Sequence, residues 1–287
     1  MKASLFVLLQ YLLPRHWLTA LIWRIARIRR PGVKDFLITK FASAFDVNLD
    51  EVKLDVPGDF ATFNDFFIRE LADGARPIDD DADAIVSPVD GTVSFAGAIR
   101  ADSLFQAKGI DYSLGDLLAT DIEEAEHYID GSFATIYLAP YNYHRVHAPL
   151  DGELVAARYV PGDLFSVNEA TVARLNGLFR RNERLIMHFR TRFGPAVLIF
   201  VGALNVGSIS TPWTGEIRPR KSGVVDVLDL AAYPTEVRKG DLLGWFNMGS
   251  TVVLLLPQGV CDWDDDLEPG KTLRMGAEIG ELESATE

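Results

Sequence analysis

Apolar positions change their period about a third of the way along the chain. Residues 3–13 are an apolar run broken only by Ser4 and Gln10. That run is about half of the roughly 20 residues needed to span a bilayer. Lys2 and the run behind it fit the front of a secretory signal peptide, but Pro14-Arg15-His16-Trp17 is a poor cleavage site. Next, Leu18, Leu21, Ile22, Ile25 and Ile28 recur at helical spacing and form one face. Arg24, Arg27, Arg29 and Arg30 lie between them, with Trp17 and Trp23 alongside. Tryptophan and arginine beside an apolar stripe suit the headgroup boundary of a bilayer. The alternative is two helices packed on their own domain. Pro31-Gly32 breaks the pattern, and a third helix is expected over 33–45. Thr62 and Ser113, each followed three residues later by Asp, read as helix caps.

From Ser87 onward the period shortens to that of strands. Strands are predicted over 91–96, 132–138, 153–159, 184–190, 196–201, 206–210, 215–218, 242–246 and 251–256, with a turn at Phe193-Gly194-Pro195. Many short strands with Gly/Pro breaks and no repeat imply an antiparallel barrel or sandwich rather than alternating βαβ units. The expected class is α+β, with N-terminal membrane-associating helices over 1–45 and a β-rich catalytic body over 46–287.

Charge sharpens this division. The chain has a formal net charge of -13, yet its first 40 residues carry eight basic side chains and one acid, Asp35. A basic N-terminus on an acidic body points to an anionic surface such as a membrane, and away from nucleic acid as the main partner. The one cysteine, Cys261, excludes an intrachain disulfide and fits a reducing compartment.

Three segments could carry chemistry. Ser87-Pro88-Val89-Asp90-Gly91 offers an acid, although Asp-Gly alone reads as a turn. Tyr143-His144-Arg145-Val146-His147 holds two of the five histidines, three apart, with no acidic or cysteine neighbour to complete a metal site. Asn247-Met248-Gly249-Ser250-Thr251 offers a serine before an apolar strand. An acid, a histidine and a serine are the parts of an activated nucleophile. The hydrolase elbow Gly-x-Ser-x-Gly is absent at Ser250, which disfavours an ordinary α/β-hydrolase. A lipid-ester hydrolase using an uncut Ser250 and a non-catalytic lipid-binding module remain as alternatives.

Longer blocks then carry a resemblance. They are Gln10-Tyr11-Leu12-Leu13-Pro14, Thr62-Phe63-Asn64-Asp65-Phe66-Phe67, Gln106-Ala107-Lys108-Gly109, Tyr143-His144-Arg145-Val146-His147, 159–168, Arg181-Asn182-Glu183-Arg184 and Met248-Gly249-Ser250-Thr251. Over nearly its whole length the chain resembles the bacterial, pyruvoyl-dependent phosphatidylserine decarboxylases. The family usually has Leu where this chain has Met248, a swap of similar volume. The resemblance implies a proenzyme. Ser250 Oγ attacks the Gly249 carbonyl carbon, with His147 as base and Asp90 orienting it. An acyl shift and elimination then leave chains 1–249 and 250–287, the latter headed by a pyruvoyl cofactor made from Ser250. The pyruvoyl carbonyl condenses with the amine of phosphatidylserine and acts as electron sink while CO2 leaves. His144 then protonates the carbanion, and Ser166 contacts the substrate head group. The resemblance also implies a peripheral enzyme on the cytoplasmic face of the bacterial membrane, retention of the 250–287 fragment, and a homodimer.

Overall fold

Three helices lead the chain: α1 (Lys2–Leu12), α2 (Arg15–Ala26) and α3 (Pro31–Ala44). The computed structural model describes residues 2–107, 110–119, 125–205 and 207–283. Pro31 opens α3 at its first position, where a missing N–H costs nothing. The apolar stripe of α2 is not spent on the protein's own core. Its buried residues are Thr19 and Ala26, whereas Trp17, Leu21 and Ile25 are exposed. Leu8, Leu9 and Leu12 of α1 and Phe36 of α3 are exposed too. Both expected caps form. Thr62 Oγ1 accepts from Asp65 N at 3.1 Å and starts α4 (Phe63–Phe67). Ser113 Oγ accepts from Asp116 N at 3.2 Å and starts α5 (Leu114–Leu118). Two further helices among the described residues, α6 (Glu169–Val172) and α7 (Leu178–Arg181), are single turns.

The body is antiparallel throughout its named ladders, which gives the α+β class. Strands β1 (Ala84–Val86), β2 (Gly91–Ala98), β3 (Ser103–Ala107), β4 (Ile110–Ser113), β5 (Ser132–Leu138), β6 (Arg145–His147), β7 (Gly152–Val160), β8 (Arg184–Thr191) and β9 (Gly194–Val201) come first. They are followed by β10 (Ile209–Thr211), β11 (Gly215–Ile217), β12 (Asp226–Val227), β13 (Glu236–Val237), β14 (Leu242–Phe246), β15 (Ser250–Leu256), β16 (Cys261–Trp263), β17 (Thr272–Leu273) and β18 (Glu278–Leu282). A nine-stranded sheet runs β12-β7-β8-β9-β15-β5-β2-β17, with β13 also paired to β7. A four-stranded sheet runs β11-β10-β14-β6. A three-stranded sheet, β1-β18-β16, and a hairpin of β3 and β4 complete the set among the described residues.

The two larger sheets meet through their aromatic faces. Phe200 of β9 and Phe246 of β14 lie 5.3 Å apart, and a Cβ on Gly244 would sit 3.1 Å from the Phe200 ring and 2.5 Å from Ser210 O. Glycine at 244 is what lets the strands close up there. The arrangement is sandwich-like. No ladder joins β12 to β17 among the described residues, so the large sheet is open and the barrel half of the expectation does not hold. The expected strand over 206–210 begins only at Ile209, and residue 206 lies outside the described residues.

β15 is the spine of the large sheet. It pairs with β9 on one side and β5 on the other, and every residue of it is buried. Val252 to Leu256 can therefore be apolar without alternation, because both faces of the strand are covered.

Candidate active site

Ser250 is the first residue of β15, opposite Leu138 of β5. It is fully buried, and its Oγ has no hydrogen-bond partner. An unpaired buried hydroxyl costs free energy, so such groups are uncommon unless they serve a purpose. Met248, Gly249 and Ser250 form one wall of a cavity of about 320 Å³. Phe41 and Phe45 of α3 and its trailing residue, Phe67 of α4, Leu204 and Asn205 form other walls, and Ser166 and Asn168 add polar groups. The cavity is thus built where the N-terminal helices meet the end of the central strand.

His144 is fully buried beside it. Its Nδ1 lies 2.8 Å from Asn142 O, so Nδ1 carries the proton and Nε2 keeps a lone pair. That Nε2 has no partner. The ring packs on Phe67, with centroids 4.1 Å apart, and Phe67 also lines the Ser250 cavity. Burial, aided by the nearby Arg69 cation, lowers the His144 pKa to about 3. Arg69 is itself buried, and its Nη2 donates to Tyr141 O at 2.8 Å and Asn142 O at 3.3 Å. It holds the loop whose carbonyl fixes the His144 tautomer.

His147 and Asp90 lie in two adjoining clefts nearby. His147 Nδ1 is 2.7 Å from Gly240 O, and its Nε2 is 3.0 Å from Tyr143 Oη. The tyrosine hydroxyl therefore donates to Nε2. Burial again lowers the imidazole pKa. Asp90 is buried, and it accepts from Arg76 Nε at 2.7 Å, Arg76 Nη2 at 2.5 Å and Met275 N at 2.9 Å. Its carboxylate is thus committed to a bidentate arginine pair rather than to His147. Arg76, Tyr143 and His147 line one cleft, and Arg76, Asp90 and Tyr143 line the next. The sequence-predicted residues fall into two groups: Gly249, Ser250 and Ser166 share a cavity with His144 behind Phe67, while Asp90 and His147 share Arg76 and Tyr143.

Ser166 is held from the N-terminal helices. Gln10 of α1 is fully buried; its Oε1 accepts from Ser166 N at 2.8 Å and its Nε2 donates to Thr171 Oγ1 at 3.1 Å. Arg15 pairs with Asp163 at 2.8 Å and lies over the Phe165 ring. Asn182 grips Phe165 through both its N–H and its carbonyl, at 2.9 and 2.8 Å. Helices that carry exposed leucines thus also fix a polar loop of the cavity.

A family model described as phosphatidylserine decarboxylase matches residues 63–281, and a second, described as PSD, matches residues 5–46. The chain belongs to the phosphatidylserine decarboxylase family. It is 46% identical over 286 residues to a phosphatidylserine decarboxylase proenzyme of Saccharophagus degradans, covering 99% of both chains. A proenzyme of the same name from Alcanivorax borkumensis is 46% identical over 281 residues, covering 98% of this chain and 97% of the relative. One from Psychrobacter cryohalolentis is 45% identical over 278 residues, covering 96% and 98%. Membership makes the chain a carboxy-lyase.

Several residues around this candidate site escape sequence reasoning. Arg69, Arg76 and Asn247 carry no local pattern that marks them. Gln10 had one available signal, a lone large amide in an apolar run. That isolation fits a side chain whose buried polar ends must both be satisfied.

Proposed function

We propose that this decarboxylase makes its own cofactor from Ser250 and acts on phosphatidylserine presented at a membrane surface. The observation that carries the reading is the buried, unpaired Ser250 Oγ, next to Gly249, at the wall of a cavity. The site fits a pyruvoyl group, because the residue that would become it already faces that space and has no hydrogen bond to break.

In the first stage the Ser250 Oγ–H gives up its proton to a base as Oγ bonds to the Gly249 carbonyl carbon. The Gly249–Ser250 C–N bond breaks, and the nitrogen takes the proton. Elimination then expels the Gly249 carboxylate, and loss of ammonia with uptake of water leaves a ketone at residue 250. Following the resemblance, His147 is the base and Asp90 orients it. A second reading has support of its own. His144 Nε2 and Ser250 Oγ are both buried and both unpaired, and Phe67 touches the first and lines the cavity of the second.

The fragment 250–287 has good reason to stay bound after the cut. β15 keeps its ladders to β5 and β9, β17 pairs with β2, and β18 pairs with β1. Each buried Val or Leu of β15 adds roughly 1.5–3 kcal/mol, enough in sum to replace a covalent link.

Ser250, once converted, would hold the pyruvoyl group, which would supply a carbonyl able to take the substrate amine and to serve as an electron sink for loss of CO2. His144 starts as a neutral acceptor. Following the resemblance, it passes a proton to the α-carbon once the carbanion has formed. Ser166 and Asn168 meet the head group, and Phe41, Phe45 and Phe67 exclude water. The test is conversion of phosphatidylserine in vesicles to phosphatidylethanolamine before and after borohydride. Activity should vanish on reduction of the carbonyl; undiminished activity would contradict a pyruvoyl enzyme.

The exposed apolar side chains of α1, α2 and α3 support a peripheral membrane site, and no described helix is long and apolar enough to cross a bilayer. Exposed Arg24, Arg29, Arg30 and Lys40 suit anionic head groups. Replacing Leu9, Leu12 and Trp17 together by serine removes side chains that are 49, 78 and 65% exposed, so the fold should survive. Flotation with phosphatidylserine-containing vesicles should weaken at least about tenfold, given roughly 1.5–3 kcal/mol for each fully buried side chain. Unchanged flotation would count against these helices as the docking face.

A further inference from the structure

Met248, two residues before Ser250, has φ of 102°. The other non-glycine residues with positive φ, namely Asp46, Ala101, Ala119, Asp130 and Asn205, lie between 50 and 71°, inside the ordinary left-handed well. Among the described non-glycine residues Met248 alone stands beyond it. A residue with a β-carbon is strained there, and such strain persists only where the surroundings over-determine it.

The surroundings do so from both sides. Asn247 is 2% exposed and pinned in every direction. Its N–H donates to Ser208 O at 2.9 Å, and its carbonyl accepts from Gly207 N at 2.8 Å. Its Nδ2 donates to Ser208 Oγ at 2.8 Å and Ser210 Oγ at 3.0 Å, and its Oδ1 accepts from Asn64 Nδ2 at 2.9 Å. Beyond the joint, Ser250 is already locked into the β5 ladder and Thr251 into both ladders. Only Met248 and Gly249 are left to turn the chain between two fixed points. The Met248 side chain is itself packed against the phenylalanine-rich cluster of Phe60, Phe63, Phe66 and Phe67. A glycine stands next door with room to spare, since a Cβ on Gly249 would meet nothing nearer than Leu138 O at 3.9 Å. The costly conformation nevertheless falls on the residue that has a side chain.

We infer that Met248 is a positioning residue for self-cleavage: its strained backbone loads the Gly249–Ser250 joint, and the load is released when that bond breaks. The inference rests on the reading that Gly249–Ser250 is the bond cut. In that step the Ser250 Oγ–C bond forms, the C–N bond breaks and the hydroxyl proton passes to nitrogen. The ester link then runs from the Gly249 carbonyl carbon through Oγ and Cβ to Cα, one bond longer than the link through nitrogen, and this slack frees Met248 to leave φ of 102°. Strain therefore raises the starting state relative to the transition state.

The experiment is a pulse-chase of newly made chain in cell-free translation, reading the half-life of the uncut precursor. Met248→Gly removes the β-carbon and should lengthen that half-life about tenfold, within roughly 5- to 100-fold, for the usual range of backbone strain. Met248→Leu keeps both the β-carbon and the apolar anchor and should cleave at the wild-type rate. Met248→Ala keeps the β-carbon but not the anchor, and should cleave at least about fivefold faster than Met248→Gly. Cleavage of Met248→Gly within twofold of wild type would overturn the inference. Equal slowing in the Ala and Gly variants would also overturn it, because anchoring rather than strain would then set the rate. An uncut wild-type chain would overturn the cleavage reading and this inference with it.

Discussion

Ser250→Ala should give a single uncut chain with no detectable decarboxylase activity. The effect is expected to be complete, because one residue supplies both the nucleophile, through Oγ, and the reactive carbonyl, through Cα. The fold should barely notice. Ser250 Oγ has no hydrogen-bond partner, so its removal orphans no donor or acceptor. The backbone ladder to Leu138 does not involve the side chain. A melting curve within a few degrees of an uncut reference would show that chemistry, not stability, was lost. A cut and active Ser250→Ala chain would remove Ser250 from the mechanism.

The second large effect separates the two histidines. With His147 as the cleavage base and His144 as the proton carrier for decarboxylation, His147→Ala stays uncut. His144→Ala then cuts normally but decarboxylates at least about a hundredfold more slowly, the usual worth of a positioned proton donor. The opposite pattern, an uncut His144→Ala, would follow if the unpaired Nε2 of His144 activates Ser250. Gel analysis of the two variants, with phosphatidylethanolamine formation measured on whatever is cut, distinguishes them. The pH dependence is set by the same burial. An ordinary histidine base protonates near 6.5 and fails below it. Here both imidazoles have lowered pKa values, His144 to about 3, so either base stays free below 6.5. Cleavage should therefore hold its rate as pH falls from 8 through 6.5 and fail only at lower pH; a steep loss centred at 6.5 would contradict the buried, neutral state.

How much of this was legible in the sequence depends on how local the signal is. Strand 132–138 and strand 242–246 are found where the pattern predicts them, and β15 is extended only by Ser250 itself. Continuous apolar runs bounded by turns mark strands covered on both faces. The two-residue strands β12, β13 and β17 carry no period at all, so only tertiary pairing defines them. The exposed stripe of α2 was legible as amphipathic, but its direction was not. That required seeing Thr19 and Ala26 turned to the body.

The candidate site follows the same rule. Gly249-Ser250 is an unremarkable pair by itself, and its meaning came from distant blocks that resemble one family. The partners that shape it are long-range contacts. Asn64 reaches Asn247 across 183 positions, and Gln10 reaches Ser166 across 156. No local window contains such pairs. Burial likewise changes what the histidines are: His144 reads as a group near neutrality in sequence, yet the fold makes it a neutral acceptor with a free Nε2.

The most direct test is the intact mass of the purified wild-type protein under denaturing conditions. The account predicts two chains, 1–249 and 250–287, the smaller beginning with a pyruvoyl group in place of Ser250. A single active chain of the full 287 residues, or a cut at any other bond, would contradict it.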